Sequence, residues 1–196
     1  MTWTIVGLGN PGDEYANTRH NAGRIILETV RTTHDLPAWA FDKKANALIS
    51  KGEIQSAKVI LVEPETFMNL SGNSVGYFVK TSKAAEKTIV IYDDLDLPLG
   101  TYKIAFNRGS GGHKGIESIS SVLKTDAYVR IRVGISPMQA NGKLKKPKSH
   151  DGVHDFIIGG FKKQELELIG KLSKEIVKAI EIIVTEGYLA AMTRFN

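Results

Sequence analysis

The sequence predicts a single α/β domain over residues 1–196, with a twisted mixed β-sheet, helices on both of its faces and a long C-terminal helix. Short β-branched runs alternate with segments of helical periodicity. Apolar residues then recur at helical spacing through the last part of the chain. A length of 196 residues suffices for one sizeable core but not for a second complete domain.

Strands are predicted where short apolar runs are rich in β-branched residues. The first run stops at the glycines of a turn, as a buried strand does at a sheet edge. The predicted strands cover residues 2–7, 45–51, 57–62, 88–92, 101–106 and 129–135.

Helices are predicted where apolar residues recur three and four positions apart. Two of these segments are Ala22–Thr33 and Lys114–Leu123, and a third follows Asn69, with Val75, Phe78 and Val79 on one face. A long amphipathic helix, which Gly187 can close, is marked by Leu166, Ile169, Leu172, Ile176, Ile180 and Ile183.

Composition excludes several classes of protein. Without cysteine, the chain has no disulfide, thiol nucleophile or cysteine metal site. No apolar run approaches the roughly 20 residues of a membrane span, and the N-terminus does not resemble a signal peptide, so we expect a cytoplasmic protein with no membrane association.

A formal charge of +5 fits a polyanionic partner such as RNA without establishing one. The basic run at 143–148 predicts a surface loop, either a solvated turn or a phosphate contact.

The turn after the first strand, GLGNPG at 7–12, matches the glycine pattern of dinucleotide sites. Pro11 has no N–H to offer a phosphate, however, and the next helical pattern starts near Ala22. We therefore interpret the turn as presenting Asn10, which Pro11 restricts to extended geometry, at the carboxyl edge of the strand. A turn without chemical function is the alternative.

His20 stands in a polar segment just before the first helix, and Asp93 follows the apolar run IVIY. Ligands of α/β sheets bind at the carboxyl ends of the strands, where Asp93 is expected. A carboxylate bonded to one imidazole nitrogen fixes the tautomer and leaves the other nitrogen basic. The sequence thus suggests a His20–Asp93 dyad, with a surface or helix-capping histidine as the alternative.

Water is the candidate nucleophile, because the chain lacks both cysteine and a G-x-S-x-G elbow. The aspartates at 93, 94 and 96 raise the possibility of a Mg²⁺ site, but the neighbouring motifs supply amides and histidine instead of further carboxylates. His150 and His154 have helical spacing, yet Gly152 and the strand-like run at 153–158 argue against a zinc pair. We predict neither a metal nor a cofactor.

These residues together resemble the bacterial peptidyl-tRNA hydrolase family over nearly the whole chain. The resemblance is carried, in this order, by GLGNPG, TRHNAG, TFMNLSG, DDLDLPLG, GSGGHKGIESI, RIRVGI and AAMTRFN. It implies that His20 is the catalytic base, that Asp93 orients it, and that Asn10 and Asn69 hold the peptide end of the substrate and the attacking water. The further substrate-binding residues that it implies are Tyr15, Phe67, Met68, His113 and Lys114.

The resemblance implies hydrolysis of the ester between a peptide and the 3′-terminal ribose of tRNA. The partner would be peptidyl-tRNA, with no obligate protein partner, and we expect a monomer. Candidate contacts to tRNA phosphate are Lys103, Arg108, Arg130 and Arg132. The resemblance favours Lys103 and Arg132 as a clamp, although Ala105 stands where the family often has a second basic residue.

Lys114 departs from the family, which has an asparagine at this place. A lysine donates hydrogen bonds but accepts none. It could stabilise an oxyanion or bind a phosphate, or its charge could lower the pKa of His20. Two alternatives to the hydrolase stay open, namely a catalytically silent RNA-binding relative and a nucleotide-dependent enzyme.

Overall fold

The computed structural model describes residues 2–147 and 149–196. Its strands are β1 (Trp3–Gly7), β2 (Ala40–Asp42), β3 (Ala47–Ile54), β4 (Ala57–Pro64), β5 (Thr88–Pro98), β6 (Tyr102–Phe106) and β7 (Val129–Ser136). They form one seven-stranded sheet in the order β2-β3-β4-β1-β5-β7-β6. The central strands β4, β1, β5 and β7 are parallel, whereas β2, β3 and β6 pair antiparallel. The predicted mixed sheet is confirmed.

The helices are α1 (Ala22–Thr33), α2 (Ser71–Phe78), α3 (Ser82–Ala85), α4 (Lys114–Leu123), α5 (His150–Ile158), α6 (Lys163–Glu186) and α7 (Tyr188–Phe195). Short 3₁₀ helices cover Asp13–Tyr15, Arg19–Asn21 and Met68–Leu70. Within the described ranges, none of the helices combines the length and hydrophobicity needed to cross a bilayer.

Alternate residues of the buried strands point to two separate cores, as the twofold period of a strand requires. On β1, Ile5 joins the core that contains α1 and α6, while Val6 joins the core beneath α2 and α4. The prediction of helices on both faces is therefore confirmed. The long helix α6 ends where Gly187 adopts a φ of 95°, as its glycine predicted.

The prediction of a strand at 153–158 is wrong, because these residues belong to α5. The side chain of Ser149 accepts a hydrogen bond from the Gly152 N–H at 3.1 Å and so caps the start of this helix. Val153 and Ile157, which looked like strand residues, lie one helical turn apart and line a cleft. Of the predicted basic loop, Lys143, Lys145 and Lys146 are exposed, and Lys148 lies outside the described residues.

Candidate active site

The carboxyl ends of β1 and β5 bring the predicted residues to one edge of the sheet. The two strands are parallel neighbours, with Gly7 opposite Ile91. The turn after β1 therefore carries Asn10 to the same edge as Asp93 on β5. His20 reaches this edge from the 3₁₀ helix Arg19–Asn21, which directly precedes α1.

His20 and Asp93 form a buried pair. Nδ1 of His20 lies 2.9 Å from Oδ1 of Asp93 and 3.1 Å from Oδ2, and the two residues are 8% and 4% exposed. An ionised carboxylate only accepts hydrogen bonds, so Nδ1 of His20 carries the proton. Nε2 is then the basic nitrogen of a ring that lines the cleft.

The electrostatics of the pair keep Asp93 charged. Burial would raise the pKa of Asp93, but His20 and His113 together hold this pKa well below the ordinary range of an aspartate. For His20, burial would lower the pKa, whereas the charge of Asp93 and its hydrogen bond raise it, with a net increase above 6.5. A histidine whose pKa is raised by a fixed carboxylate is suited to act as a general base.

His113 is a second partner of Asp93, which sequence reasoning missed by treating it only as a substrate contact. Its Nε2 lies 3.1 Å from Oδ1 of Asp93. Its Nδ1 accepts a hydrogen bond from the Ile116 N–H at 3.4 Å, at the start of α4. Nδ1 is therefore unprotonated, and Nε2 carries the proton that it donates to Asp93. The position of His113 directly before a helix was the signal available in the sequence.

His20, Asp93 and His113 offer ligand atoms within 4.8 Å of one another, close enough to hold a metal ion. Their hydrogen bonds argue against that use. A metal on Nε2 of His113 would move the ring proton to Nδ1, where it would face the Ile116 N–H and break the helix cap. This cost supports the metal-free mechanism, which stays a prediction.

Asn10 is held rigidly by its neighbours. Its backbone N–H donates to Oδ1 of Asn21 at 2.9 Å, and Nδ2 of Asn21 donates to its carbonyl at 2.9 Å. Oδ1 of Asn10 accepts from the Met68 N–H at 3.0 Å. Nδ2 of Asn10 makes no hydrogen bond with any residue that the structure describes, so it is free to donate to a ligand. A side chain at Gly9 would lie 2.6 Å from Arg24, so this glycine serves packing within the turn.

A cleft of about 1090 Å³ opens beside the pair. Its lining includes the predicted substrate-binding residues Asn10, Phe67, Met68, Asn69, His113 and Lys114. Phe67 is 60% exposed and presents its ring to this space, whereas Met68 is buried. Tyr15 is not among the described residues that line the cleft, and its assignment to the substrate stays a prediction.

The predicted phosphate contacts divide into two groups. Arg108 and Arg132 line the cleft, and Nε of Arg132 donates to Oδ2 of Asp94 at 2.7 Å. Lys103 lies opposite Arg132 in the β6–β7 pairing and is exposed, with Nζ 2.6 Å from the carbonyl oxygen of Asn196. Cross-strand neighbours point to the same face of a sheet, so these two cations are close enough to act together.

Arg130 was wrongly predicted as a candidate for phosphate contact. It is fully buried, with its guanidinium bound to the Gly109 carbonyl at 2.8 Å and to Asp126 at 2.5 Å. It also stacks on the ring of Tyr128 at 4.6 Å. These contacts satisfy a charge inside the protein, and they anchor the glycine-rich segment that leads to His113.

Lys114 forms an ion pair with a residue of its own helix. Its side chain is 65% exposed, and Nζ lies 3.0 Å from Oε2 of Glu117 on the same helix. The groups that shift the pKa of His20 are its burial, which lowers it, and Asp93, which raises it. The structure thus offers no support for lowering of the His20 pKa by this lysine.

We expect Lys114→Asn to leave the midpoint of the pH–rate profile in place and to change kcat less than about threefold, because exposed charges interact weakly. The measurement is kcat and kcat/KM from pH 5 to 9. Lys124→Asn, at the exposed end of the same helix, is the matched control. A midpoint that moves to higher pH in Lys114→Asn would show that this lysine does depress the His20 pKa.

Comparison with known proteins gives one consistent family. Residues 4–196 match the family model described as peptidyl-tRNA hydrolase. The chain is 38% identical over 193 residues to the peptidyl-tRNA hydrolase of Carboxydothermus hydrogenoformans, covering 98% of this chain and 97% of the relative. Identity to the protein of that name from Fervidobacterium nodosum is 41% over 192 residues, covering 98% and 94%. The crystal structure of peptidyl-tRNA hydrolase from Acinetobacter baumannii superposes with a TM-score of 0.88 at 30% identity, covering 100% and 94% of the two chains.

Proposed function

Because the chain belongs to the peptidyl-tRNA hydrolase family, whose named relatives are enzymes, we propose that it hydrolyses the ester joining a peptide to the 3′-terminal ribose of tRNA. Its role would be to recycle tRNA from prematurely released peptidyl-tRNA. The observation that carries the proposal is the buried His20–Asp93 pair, which lies beside Asn10 in an open cleft.

In the proposed reaction His20 activates water. Nε2 of His20 takes one proton as the water oxygen attacks the ester carbonyl, and Asp93 stabilises the imidazolium that forms. The carbonyl oxygen becomes an oxyanion. When the tetrahedral intermediate collapses, the bond to the ribose 3′ oxygen breaks and the imidazolium returns its proton to that oxygen. One water and one ester thus yield a peptide acid and a free tRNA terminus, and no cofactor takes part.

Amide side chains would stabilise the intermediate and orient the substrate. The hydrogen bond from the Met68 N–H to Oδ1 of Asn10 fixes the orientation of this amide group. Its Nδ2 can then donate to the substrate. Asn69 is exposed on the 3₁₀ helix Met68–Leu70 and lines the same cleft. Fixed donors near a developing oxyanion stabilise it at little reorganisation cost. An ester also has a better leaving group than an amide, so a two-residue base is chemically sufficient.

The test is release of an N-acetylated amino acid from tRNA by the purified protein, with tRNA binding measured in parallel. We expect catalytic release without added metal or nucleotide. Binding without release would favour an RNA-binding protein of the same fold. A thermal shift with NAD or ATP would favour the nucleotide-dependent alternative.

We also expect the protein to be cytoplasmic and monomeric. Cell fractionation would test its location, and light scattering would test its oligomeric state.

For tRNA binding we expect Lys103→Gln and Arg132→Gln to raise KM and to leave kcat nearly unchanged. Each substitution removes one proposed phosphate contact, so the slope of log KM against log salt concentration should fall by about one unit. Lys171→Gln, on the exposed surface of α6, is the control and should keep the wild-type slope. Unchanged slopes in both test variants would remove these residues from the phosphate site.

A further inference from the structure

Arg19 is a buried cation next to His20, with no part in the chemistry proposed above. Its side chain is 10% exposed, and Nη2 donates to Oε2 of Glu165 at 2.9 Å. Nη1 lies 3.2 Å from the carbonyl of Gly159 and 3.3 Å from that of Phe156, at the C-terminal end of α5. One guanidinium therefore binds both the end of α5 and an acidic residue of α6.

Aromatic rings complete the environment of this guanidinium. Its carbon atom lies 4.5 Å from the ring centre of Phe156 and 5.6 Å from that of Phe161. Cation–π contacts favour a planar, weakly hydrated guanidinium over a compact ammonium group. A lysine would lose this stacking and could not reproduce the planar set of hydrogen bonds.

The backbone around Arg19 pairs with the segment that follows α5. The Arg19 N–H donates to the Gly159 carbonyl at 3.1 Å, and the Phe161 N–H donates to the Asn17 carbonyl at 2.9 Å. Thr18 and Gly160 form the antiparallel bridge between them. The segment that carries His20 and the segment that ends α5 are thus one locally paired unit.

Glu165 connects this unit to a rigid part of the fold. Its Oε2 also accepts a hydrogen bond from the Lys162 N–H at 2.7 Å, which caps the start of α6. From there α6 runs into the core, where Ile169 and Leu172 are buried. Arg19 therefore fixes the end of α5 to a helix that cannot shift without disturbing the core.

α5 forms part of the wall of the cleft that also contains His20 and Asp93. Val153, His154, Ile157 and Ile158 on this helix line the same space as His20. Among the described elements, α5 packs mainly against the short helix Arg19–Asn21. The position of this wall relative to His20 therefore depends on the contacts of Arg19.

We propose that Arg19 is a positioning residue that holds α5 at the correct distance from His20, so that the residues of α5 that line the cleft can contact the substrate. The inference rests on the proposed function for its effect on KM. Its effect on α5 is independent of any activity.

The test compares Arg19→Met and Arg19→Lys with wild type in the release assay. We expect KM to rise about tenfold in both variants, kcat to change less than about threefold, and the midpoint of the kcat/KM pH profile to stay in place. Hydrogen–deuterium exchange should become faster in α5 but not in the core of α6. Arg31→Met is the matched control, because Arg31 binds Glu28 and the Leu36 carbonyl and does not line the cleft.

Unchanged KM and unchanged exchange in α5 would overturn the proposal, and so would a large loss of kcat with a shifted pH midpoint. If Arg19→Met does not fold, Arg19→Lys and Glu165→Gln decide the question, since each weakens the same contact conservatively. A wild-type protein without hydrolase activity would refute the proposed function. The exchange measurement would still test whether Arg19 holds α5.

Discussion

Replacing His20 with alanine is expected to lower kcat about a thousandfold, with KM within about threefold of wild type. The substitution removes the nitrogen that accepts the proton of water, while the cleft residues that bind the substrate are kept. The measurement is the steady-state rate of release from N-acetylated aminoacyl-tRNA. Circular dichroism should show that the variant is folded.

The control for this prediction is His34→Ala. His34 lies at the end of α1, where Nε2 is 3.5 Å from Glu181, and it does not line the cleft. Its loss should leave kcat within about threefold of wild type. Equal activity of wild type and His20→Ala would eliminate His20 as the base.

The second large effect is expected for Asp93→Asn, with a fall in kcat of about a thousandfold or more. An asparagine amide facing Nδ1 of His20 would donate to it and shift the ring proton to Nε2, which must be free to accept a proton. His113 would also lose its charged partner, because Asp93 accepts from both rings. The variant should nevertheless bind tRNA as wild type does.

The pH dependence of the residual activity of Asp93→Asn gives a second test. Asp93 raises the pKa of His20, whereas burial lowers it. Without the carboxylate, burial is left unopposed, so the acid limb of the pH profile should move to lower pH. Asp35→Asn is the control, since Asp35 is exposed with a φ of 49°, a conformation that asparagine tolerates. An acid limb that stays in place or moves to higher pH would contradict the proposed coupling.

The sheet and the histidine–aspartate pair could be predicted because both follow from local patterns. The strand runs and their carboxyl ends are visible in the sequence, and the parallel pairing of β1 with β5 brings the two ends together. The short edge strand β2 was missed, because three residues with little burial carry no periodicity. The helix α5 was mistaken for a strand because its short apolar pattern is ambiguous without its cap.

Two features of the site required the tertiary structure. The approach of His113 to Asp93 depends on the glycine-rich segment before it, where Asn107, Gly111 and Gly112 adopt positive φ. No sequence pattern specifies that path. Arg19 belongs to the TRHNAG segment, but the sequence predicted no role for it. The partners of its guanidinium lie far along the chain, at the end of α5 and on α6.

Burial of arginines was likewise unpredictable from residue type. Charged residues are usually exposed, which favoured Arg130 as a phosphate contact. Its burial depends on Asp126, Tyr128 and the Gly109 carbonyl, which meet only in the folded chain. Arg132, two positions later on the same strand, reaches the open cleft.

The most direct test of the His20–Asp93 mechanism is the pH dependence of kcat/KM for the wild-type protein, which reports the free enzyme. If the pKa of the base is raised, log(kcat/KM) should increase with unit slope at low pH. It should bend at a midpoint above 6.5 and then reach a plateau. A profile independent of pH over this range, or a midpoint at or below 6.5, would contradict a base held by Asp93.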